Sequence, residues 1–335
     1  MQSKPVKSPL NILLVRVSSL GDVLHNLPMV ADILRAHPDA NIDWVVEEGY
    51  VSLVRLNPHV RKIIPFALRR WRKSLGSKAT RAEIGAFWRS VRAQRYDYVF
   101  DTQGLLKTGV IMGAARLAPG GQKVGLANGS QGSGYEGVSR LFHTKSIALD
   151  PRTHAVARGR LVAAAALGYS AGHAADFGLP APDAASRPGF LPAADYAVFF
   201  HGTAREAKKW APANWVALGR ALAPMPVLLA WGSASEKTEA EALATQLPNA
   251  LVLPKLSMLE AVELARHAAL AVGVDTGLTH IAAAFVRPTI ELYCDSPKWK
   301  TEGNWSPAII NLGDLGAPPS VPEVLAAVER LRPAA

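Results

Sequence analysis

The sequence predicts an α/β protein with two domains, each built around a parallel sheet with helices packed on its faces. Short apolar runs alternate with amphipathic segments along both halves of the chain, as in repeated βαβ units. In each half, one apolar run leads into a Gly-containing acidic turn and the start of a helix, at residues 17–25 and 274–280. Because open parallel sheets bind ligands at the carboxyl ends of their strands, we expect two facing binding edges with a cleft between them.

Composition limits the class of protein. The 335 residues suit two domains, and a hydrophobic content of 49% is enough for two cores. The one cysteine, Cys294, excludes an internal disulfide and fits a reducing compartment. No apolar run approaches the roughly 20 residues of a membrane-spanning helix, and the polar start of the chain is not a signal peptide. We therefore expect a soluble protein.

The first half of the chain is predicted to form an N-terminal domain over residues 1–170. Strands are expected at residues 12–17, 42–46, 62–65, 98–101 and 123–126, where β-branched and aromatic residues cluster. Helices are expected at residues 23–36, 81–94, 105–117 and 153–167, where apolar residues recur at helical spacing.

A stretch rich in Pro, Ala, Gly and Asp at residues 171–194 is predicted to link this domain to a second one at residues 195–318. Strands are expected there at residues 196–201, 227–231, 251–253, 269–274 and 289–293. Helices are expected at residues 212–222, 236–247, 258–267 and 277–285. A last helix at 321–331, within residues 319–335, could cross back onto the first domain.

The net charge of +10 is concentrated in a basic segment that includes Arg69, Arg70, Arg72 and Lys73. A strand-like run precedes this segment, so its guanidinium groups are expected at a sheet edge, where their planar forks suit carboxylates and phosphates. Nucleic acid, an anionic membrane surface and a polyanionic substrate are alternative partners, beside a basic face that is only solvated.

Asp22 is the first candidate for chemistry, because a carboxylate after the first strand could accept a proton from a substrate hydroxyl. The alternative is that Asp22 caps the helix that follows it. In the second domain, Asp275 with the backbone N–H groups of Thr276 and Gly277 forms the best anion site of the chain. His280 on the next turn is either a ligand contact or a packed core residue.

Two further candidates follow strand ends of the second domain. Lys208 can reach phosphates at the sheet edge, or it can belong to a solvated pair with Lys209. Glu236 lies one turn into its helix, which suits contact with ribose hydroxyls, although a surface glutamate is the simpler interpretation.

Two other patterns do not predict a function. The G-x-G-x-x-G match at residues 132–137 follows no immediate strand and opens no clear helix, so it does not indicate a dinucleotide cofactor. The Asp-Thr-Gly at residues 275–277 lacks the second copy and the all-β frame of aspartic proteases. No Cys/His cluster has zinc spacing, and no Walker A loop occurs. We predict no cofactor and no metal.

Seven segments, in this order and spacing, resemble glycosyltransferase family 9, the ADP-heptose:lipopolysaccharide heptosyltransferases: residues 18–25, 43–49, 69–73, 101–107, 208–210, 231–232 and 274–280. The resemblance implies a GT-B fold of two facing Rossmann-like domains, with the acceptor on the N-terminal domain and ADP-heptose on the C-terminal domain. It implies inverting, metal-independent transfer of L-glycero-D-manno-heptose to the Kdo of Kdo2-lipid A in the lipopolysaccharide inner core. It also implies a cytoplasmic enzyme that is peripherally associated with the inner face of the cytoplasmic membrane and binds no nucleic acid.

The resemblance also assigns roles to residues. Asp22 occupies the position of the catalytic base. Donor-binding residues are expected at Thr203, Lys208, Trp231, Glu236, Leu256, Asp275, Thr276, Gly277, Leu278 and His280. Acceptor-binding residues are expected at Ser18, Ser19, Gly21, Arg69, Arg70, Arg72, Lys73, Gln103, Gly104 and Lys107.

The chain departs from the family pattern at Ala204, where a second threonine is often found, and at the turn 294–297, which differs from the usual Gly-Pro-Thr type. Three alternatives stay open: a family 9 transferase that acts on a heptose acceptor, a nucleotide-sugar epimerase of the same fold, and a non-catalytic nucleotide- or nucleic-acid-binding protein. The segments 43–49 and 69–73 favour the Kdo acceptor.

Overall fold

The computed structural model describes residues 8–182 and 187–331. The chain divides into two compact units, of which the first ends at Gly178 and the second begins at Leu179. This division falls inside the predicted linker at residues 171–194. Each unit contains one six-stranded parallel sheet with flanking helices, so the predicted α/β class is confirmed. Within the described residues, no helix is long and apolar enough to cross a membrane.

The first sheet consists of β1 Asn11–Val15, β2 Asn41–Glu47, β3 Val60–Phe66, β4 Arg95–Asp101, β5 Arg116–Leu126 and β6 Lys145–Ile147. Its strand order is β3-β2-β1-β4-β5-β6, which is the Rossmann order with its reversal between β1 and β4. The sequence predicts the first five strands. It does not predict β6, because a Lys-Ser-Ile edge strand is too short to show an apolar pattern.

The helices of the first unit are α1 Leu20–His25, α2 Pro28–Ala36, α3 Val51–Arg55, α4 Leu68–Trp71, α5 Lys78–Arg92, α6 Leu106–Ala114 and α7 Ala155–Leu167. The single helix predicted at residues 23–36 is wrong, because Pro28 begins a new helix there. α1 begins at Leu20, so Gly21 and Asp22 lie inside its first turn and not in a turn before it.

The second sheet consists of β7 Ala197–Phe200, β8 Val227–Leu229, β9 Ala250–Val252, β10 Leu270–Val274, β11 Thr289–Tyr293 and β12 Ile309–Gly313. The order β12-β11-β10-β7-β8-β9 repeats that of the first sheet, with the reversal between β10 and β7. The helices are α8 Pro212–Ala221, α9 Ala234–Ala244, α10 Met258–Arg266, α11 Gly277–Ala284 and α12 Val321–Leu331. The sequence predicts all of these elements except β12.

The last helix, α12, packs into the core of the second unit. Val324 and Ala327 are buried there, and α12 contacts α8 and β11. The sequence suggested the first domain as the packing site of this helix, whereas the structure places its buried face in the second core. The cause is the apolar stripe of α12, which completes the cover of the sheet to which the chain has just contributed β12.

Candidate active site

Polar residues gather at the carboxyl edge of each sheet, at the point where the strand order reverses. In the first unit they follow β1 and β4, and in the second unit they follow β7 and β10. Connections leave such a point toward opposite faces of the sheet, which opens a crevice for ligands. The residues after these four strands therefore form two candidate sites, one on each unit.

Asp22 is the carboxylate of the first site. Its Oδ1 lies 2.6 Å from Nη2 of Arg16, and its Oδ2 accepts hydrogen bonds from the backbone N–H and the hydroxyl of Ser19, at 3.1 and 3.0 Å. Ser19 is the N-cap of α1, so Asp22 closes a capping box from the third helical position. Because 35% of its side chain is still exposed, Asp22 caps the helix and faces solvent at the same time.

The pKa of Asp22 is about 2, below its ordinary value. Burial alone would raise this pKa, but the Arg16 guanidinium and the hydrogen bond from the Ser19 backbone lower it by more. The charges of His25 and Arg158 lower it further. Asp22 is therefore ionised at neutral pH.

Three of the predicted acceptor residues meet beside this carboxylate. The side-chain amide of Gln103 accepts from the backbone N–H of Ser18 at 3.4 Å and donates to its hydroxyl at 3.3 Å. Lys107 donates to the same hydroxyl at 3.2 Å. Arg16, which the sequence did not single out, donates to the carbonyl of Thr102 and joins the ends of β1 and β4.

A buried aspartate holds the turn after β4. Asp101 is fully buried, and its Oδ1 accepts from the backbone N–H groups of Gln103 and Gly104, at 2.9 and 3.0 Å. Its Oδ2 accepts from the Thr108 hydroxyl at 2.8 Å. Burial raises the pKa of Asp101. Gly104 has a φ of +72°, and a Cβ there would lie 2.7 Å from the ring of Tyr135, so the turn requires glycine.

The predicted basic segment forms α4 and the turn that follows it. Its four cations do not share one environment. Arg70 forms ion pairs with Glu48 at 3.0 Å and with Glu83 at 2.8 Å, so its guanidinium is held by neighbouring carboxylates. These contacts give Arg70 a structural role that the sequence did not predict.

The other cations of this segment, Arg69, Arg72 and Lys73, are exposed. The charge of Arg69 acts on Glu47 at the end of β2, although burial of that carboxyl has the larger effect and raises its pKa. Burial lowers the pKa of Lys107; Glu47 opposes this shift, whereas Arg69 and Arg72 add to it. Arg69 and Arg72 therefore act on the same sheet edge as Lys107.

Asp275 is the carboxylate of the second site and follows β10. Its Oδ2 lies 2.5 Å from Nζ of Lys208, and its Oδ1 lies 3.1 Å from Nε2 of His280. The Thr301 hydroxyl also donates to Oδ1, at 3.2 Å. Burial would raise the pKa of Asp275, whose side chain is 10% exposed, but His280 and Lys208 hold it far below the ordinary range.

His280 lies between two carboxylates. Its Nδ1 is 2.7 Å from Oε1 of Glu291, a fully buried residue whose Oε2 accepts from the Tyr293 hydroxyl at 3.0 Å and the Gly303 N–H at 2.8 Å. Burial would lower the pKa of His280, but Glu291 and Asp275 raise it to about 10, so the imidazole is cationic. His280 is thus a buried residue that orients Asp275. The sequence did not identify Glu291, although a glutamate within an apolar strand was a signal.

α11 begins directly beside Asp275. Thr276 is its N-cap, and Gly277 and the half-buried Leu278 are its first residues. A Cβ at Gly273 would overlap the side chain of Thr279, so glycine lets the helix start against β10. The first backbone N–H groups of this helix have no partners within the helix and favour an anion.

Glu236 caps its own helix. Its Oε2 accepts from the backbone N–H groups of Gly232 and Ser233, at 2.6 and 3.1 Å. A Cβ at Gly202 would lie 2.7 Å from its carboxyl carbon, so the turn after β7, which carries Thr203, approaches this carboxylate closely.

Two predicted donor residues lie after β8 and β9. Trp231 is half-buried, and its indole N–H donates to the carbonyl of Leu253 at 2.7 Å. Leu256 is half-buried in the segment between β9 and α10. Both residues therefore lie at the ends of strands in the part of the sheet formed by β7, β8 and β9.

Comparison with known sequences identifies the family. The sequence model described as glycosyltransferase family 9 (heptosyltransferase) matches residues 84–324. The chain belongs to glycosyltransferase family 9. It is 38% identical over 287 residues to lipopolysaccharide heptosyltransferase 1 of Pseudomonas aeruginosa, covering 85% of this chain and 78% of that protein. It is 37% identical to lipopolysaccharide heptosyltransferase 1 of Escherichia coli, covering 85% and 88%.

Solved structures of the family have the same fold. E. coli heptosyltransferase WaaC with ADP superimposes with a TM-score of 0.82 at 32% identity, covering 96% of this chain and 100% of that chain. The same enzyme with ADP-2-deoxy-2-fluoro heptose gives 0.77 at 33% identity, covering 96% and 99%. The predicted resemblance and the predicted enzyme class, a heptosyltransferase of lipopolysaccharide biosynthesis, are confirmed.

Proposed function

We propose that the protein transfers L-glycero-D-manno-heptose from ADP-heptose to the Kdo of Kdo2-lipid A. The observation that carries the proposal is the ionised, partly exposed Asp22 at the carboxyl end of β1 in a chain of family 9. Identity favours the Kdo acceptor, because it is 38% to the P. aeruginosa heptosyltransferase 1 and 26% to the lipooligosaccharide heptosyltransferase 2 of Haemophilus influenzae.

Asp22 acts as the base of an inverting single displacement. The acceptor hydroxyl oxygen attacks the anomeric carbon of heptose while the bond from that carbon to the diphosphate oxygen breaks, and ADP leaves with the electron pair. The hydroxyl proton passes to Asp22. Because the pKa of Asp22 is about 2, it accepts this proton as the new bond forms and the hydroxyl acidifies, not in a step beforehand.

Inversion is supported by the state of Asp101, the carboxylate at the end of β4. Asp101 is fully buried and accepts three hydrogen bonds from its own turn, so it is not placed to attack the sugar. A retaining double displacement needs a nucleophile in addition to the proton acceptor.

Lys208 and the N-terminus of α11 stabilise the departing diphosphate. Lys208 leaves Asp275 and donates to a phosphate oxygen of the diphosphate. The N–H groups that follow Thr276 add the favourable electrostatic field of the helix N-terminus. The imidazolium of His280 stays beside Asp275 and compensates its charge during this exchange. These protein groups supply the stabilisation that many transferases take from magnesium, and they support a metal-independent reaction.

The remaining donor and acceptor roles follow the sheet edges. Glu236 binds the ribose while its Oε2 keeps the helix cap, and Trp231 and Leu256 flank the adenine. The surface after α4 binds the anionic acceptor, and the net charge of +10 supports peripheral association with the anionic inner leaflet of the cytoplasmic membrane.

The test is to incubate the purified protein with ADP-heptose and Kdo2-lipid A after exhaustive chelation and to detect the product by mass spectrometry. We expect addition of one heptose, at the same rate with and without chelator. A strict need for a divalent cation would contradict the metal-independent mechanism. Product formed only with an acceptor that already carries heptose would favour the alternative family 9 activity.

A further inference from the structure

Arg158 on α7 has a feature that the roles assigned above do not explain. It is 8% exposed, and its buried Nε has no hydrogen-bond partner in the described part of the chain. No other hydrogen bond or ion pair of its guanidinium is found there either. Burial and the nearby charge of Arg16 lower its pKa, and the charge of Asp22 opposes this shift only in part. A buried cation without a partner costs free energy, so its presence calls for a ligand or another function.

Arg160, two residues along the same helix, shows what a structural arginine looks like here. It is 7% exposed, but its Nε and Nη2 donate to the carboxylate of Asp32, at 2.6 and 3.2 Å. Its Nη2 also donates to the carbonyl of His173 at 2.7 Å. The two arginines are equally buried, and only Arg158 lacks a carboxylate partner.

The position of Arg158 directs its charge toward the first candidate site. α7 contacts α1, and at Gly159 the helix comes so close to the side chain of Asn26 that a Cβ would overlap it. The guanidinium of Arg158 lies within electrostatic range of Asp22 and Arg16. Arg158 therefore shares the surroundings of the proposed base.

The carboxyl groups near Arg158 already have other partners: Asp22 pairs with Arg16, whose charge also acts on the buried Asp101. Arg16 donates to Asp22 through Nη2 and to the carbonyl of Thr102 through Nη1, so both of its terminal nitrogens are engaged and only its buried Nε has no partner among the described residues. Asp22 is one carboxylate beside two buried arginines, and 35% of its side chain is open to solvent. A ligand carboxylate at this point would give Arg158 a planar, charge-assisted partner of its own.

We propose that Arg158 binds the carboxylate of the acceptor sugar and thereby selects a sugar acid over a neutral sugar. The inference rests on the proposed function and extends it, because a Kdo acceptor carries a carboxylate and a heptose acceptor does not. Binding of that carboxylate holds the attacking hydroxyl next to Asp22, and this orientation itself accelerates the transfer reaction.

The experiment compares Kdo2-lipid A with an analogue in which the carboxylate of the accepting Kdo is a carboxamide. For the unmodified protein we expect kcat/KM to fall about 10- to 100-fold on the analogue, the range for loss of a hydrogen bond to a charged group. Arg158→Met is expected to lose a similar factor on Kdo2-lipid A and to treat both acceptors alike. Arg158→Lys keeps the positive charge but not the planar pair of N–H donors, and it is expected to retain part of the preference for the carboxylate acceptor.

Two control variants separate this role from a structural one. Arg89→Met removes the same charge from an exposed position on α5 and is expected to keep the full preference for the carboxylate. Arg160→Met removes the main partner of the buried Asp32 and is expected to lower Tm. Arg158→Met breaks no hydrogen bond or ion pair and is expected to keep or raise Tm.

The inference is overturned if Arg158→Met and Arg158→Lys discriminate between the two acceptors as strongly as the unmodified protein. It is also overturned if Arg158→Met loses as much Tm as Arg160→Met while acceptor preference is unchanged. Absence of transfer to either acceptor by the unmodified protein would instead refute the proposed function.

Discussion

The two units share one strand order, but the charges at their sheet edges are arranged differently. In the second unit, two carboxylates and two cations pair with one another: Asp275, Glu291, Lys208 and His280. In the first unit, Asp22 lies beside Arg16 and Arg158, and Arg158 has no partner among the described residues. The side chain of Asp22 is 35% exposed, against 10% for Asp275.

This difference indicates two ways of preparing a site for an anion. The network of the second unit is neutral and ordered before a ligand binds, so an anionic ligand must displace a carboxylate from its ion pair with a cation. In the first site Arg158 has no hydrogen-bond partner among the described residues, so the anionic ligand proposed above would supply one. The same kind of substitution, such as loss of one charged side chain, should therefore change ligand binding differently in the two units.

Removal of the Asp22 charge should have the largest effect. In Asp22→Asn the proposed proton acceptor is lost, and we expect kcat to fall about 10²- to 10⁴-fold, the usual contribution of a positioned base. ADP binding to the second unit, measured by calorimetry, should be unchanged. Asn loses the ion pair with Arg16, although its amide oxygen can still accept from the Ser19 N–H, so Tm should fall and kcat is measured well below the Tm of the variant. Near-normal turnover would reduce Asp22 to a helix cap.

Lys208 and Lys209 provide a matched pair for the second unit. Lys208 pairs with Asp275, whereas Lys209 pairs with Glu206 and Glu239 at 2.8 and 2.6 Å. In Lys208→Met we expect the donor KM to rise about 10- to 100-fold, because a charge-assisted bond to phosphate is lost. Lys209→Met should leave the donor KM nearly unchanged, and equal effects would contradict the assignment of Lys208.

The buried imidazolium should make stability depend on alkaline pH. The pKa of His280 in the folded protein is about 10, above its unfolded value of about 6.5. The resulting stabilisation is complete below pH 6.5 and is lost as the pH rises toward 10. In Glu291→Gln one carboxylate is removed and the pKa of His280 in the folded protein falls, so the loss still begins near pH 6.5 but is smaller and ends at lower pH.

The measurement is the free energy of unfolding in urea between pH 6 and 10, taken as the difference between each variant and the unmodified protein. Glu241→Gln, which affects an exposed ion pair with Lys237, is the control and should give a difference that is independent of pH. A difference for Glu291→Gln that is equally flat would show that His280 is neutral in the folded protein.

The smallest effects are expected in the basic segment. Arg69→Met and Arg72→Met remove exposed charges near the acceptor edge, and each should raise the acceptor KM by about five-fold or less while the donor KM stays constant. Arg70→Met should leave both constants unchanged, because Glu48 and Glu83 already hold this guanidinium. A collapse of donor affinity in any of the three would show that the segment serves the other substrate.

Regular elements with an apolar pattern were predictable, and elements set by local context were not. Strands such as Ala197–Phe200 stand out because they are continuous apolar runs between turns. β12 and β6 lie at sheet edges, where fewer buried side chains are required. The packing of α12 depends on which core lacks cover, and the sequence of one helix does not contain that information.

Site residues, too, were predictable from the sequence only where their position in the chain indicated a function. Asp22, Lys208 and Asp275 follow strand ends, where position alone suggests chemistry. Arg158 and Glu291 lie within a helix and a strand, and their significance depends on partners that are distant in the sequence. For Glu291 the pattern contained a clue, whereas Arg158 differs from Arg160 only by contacts that the fold creates.

The ion pair between Lys208 and Asp275 has a consequence for product release. If Lys208 binds the diphosphate as proposed, the departure of ADP lets the ammonium return to a carboxylate 2.5 Å away. Asp275 thus competes with the spent nucleotide for Lys208, which shortens the residence time of ADP. We expect ADP to dissociate more slowly from Asp275→Asn than from the unmodified protein, as measured by stopped-flow displacement of bound ADP.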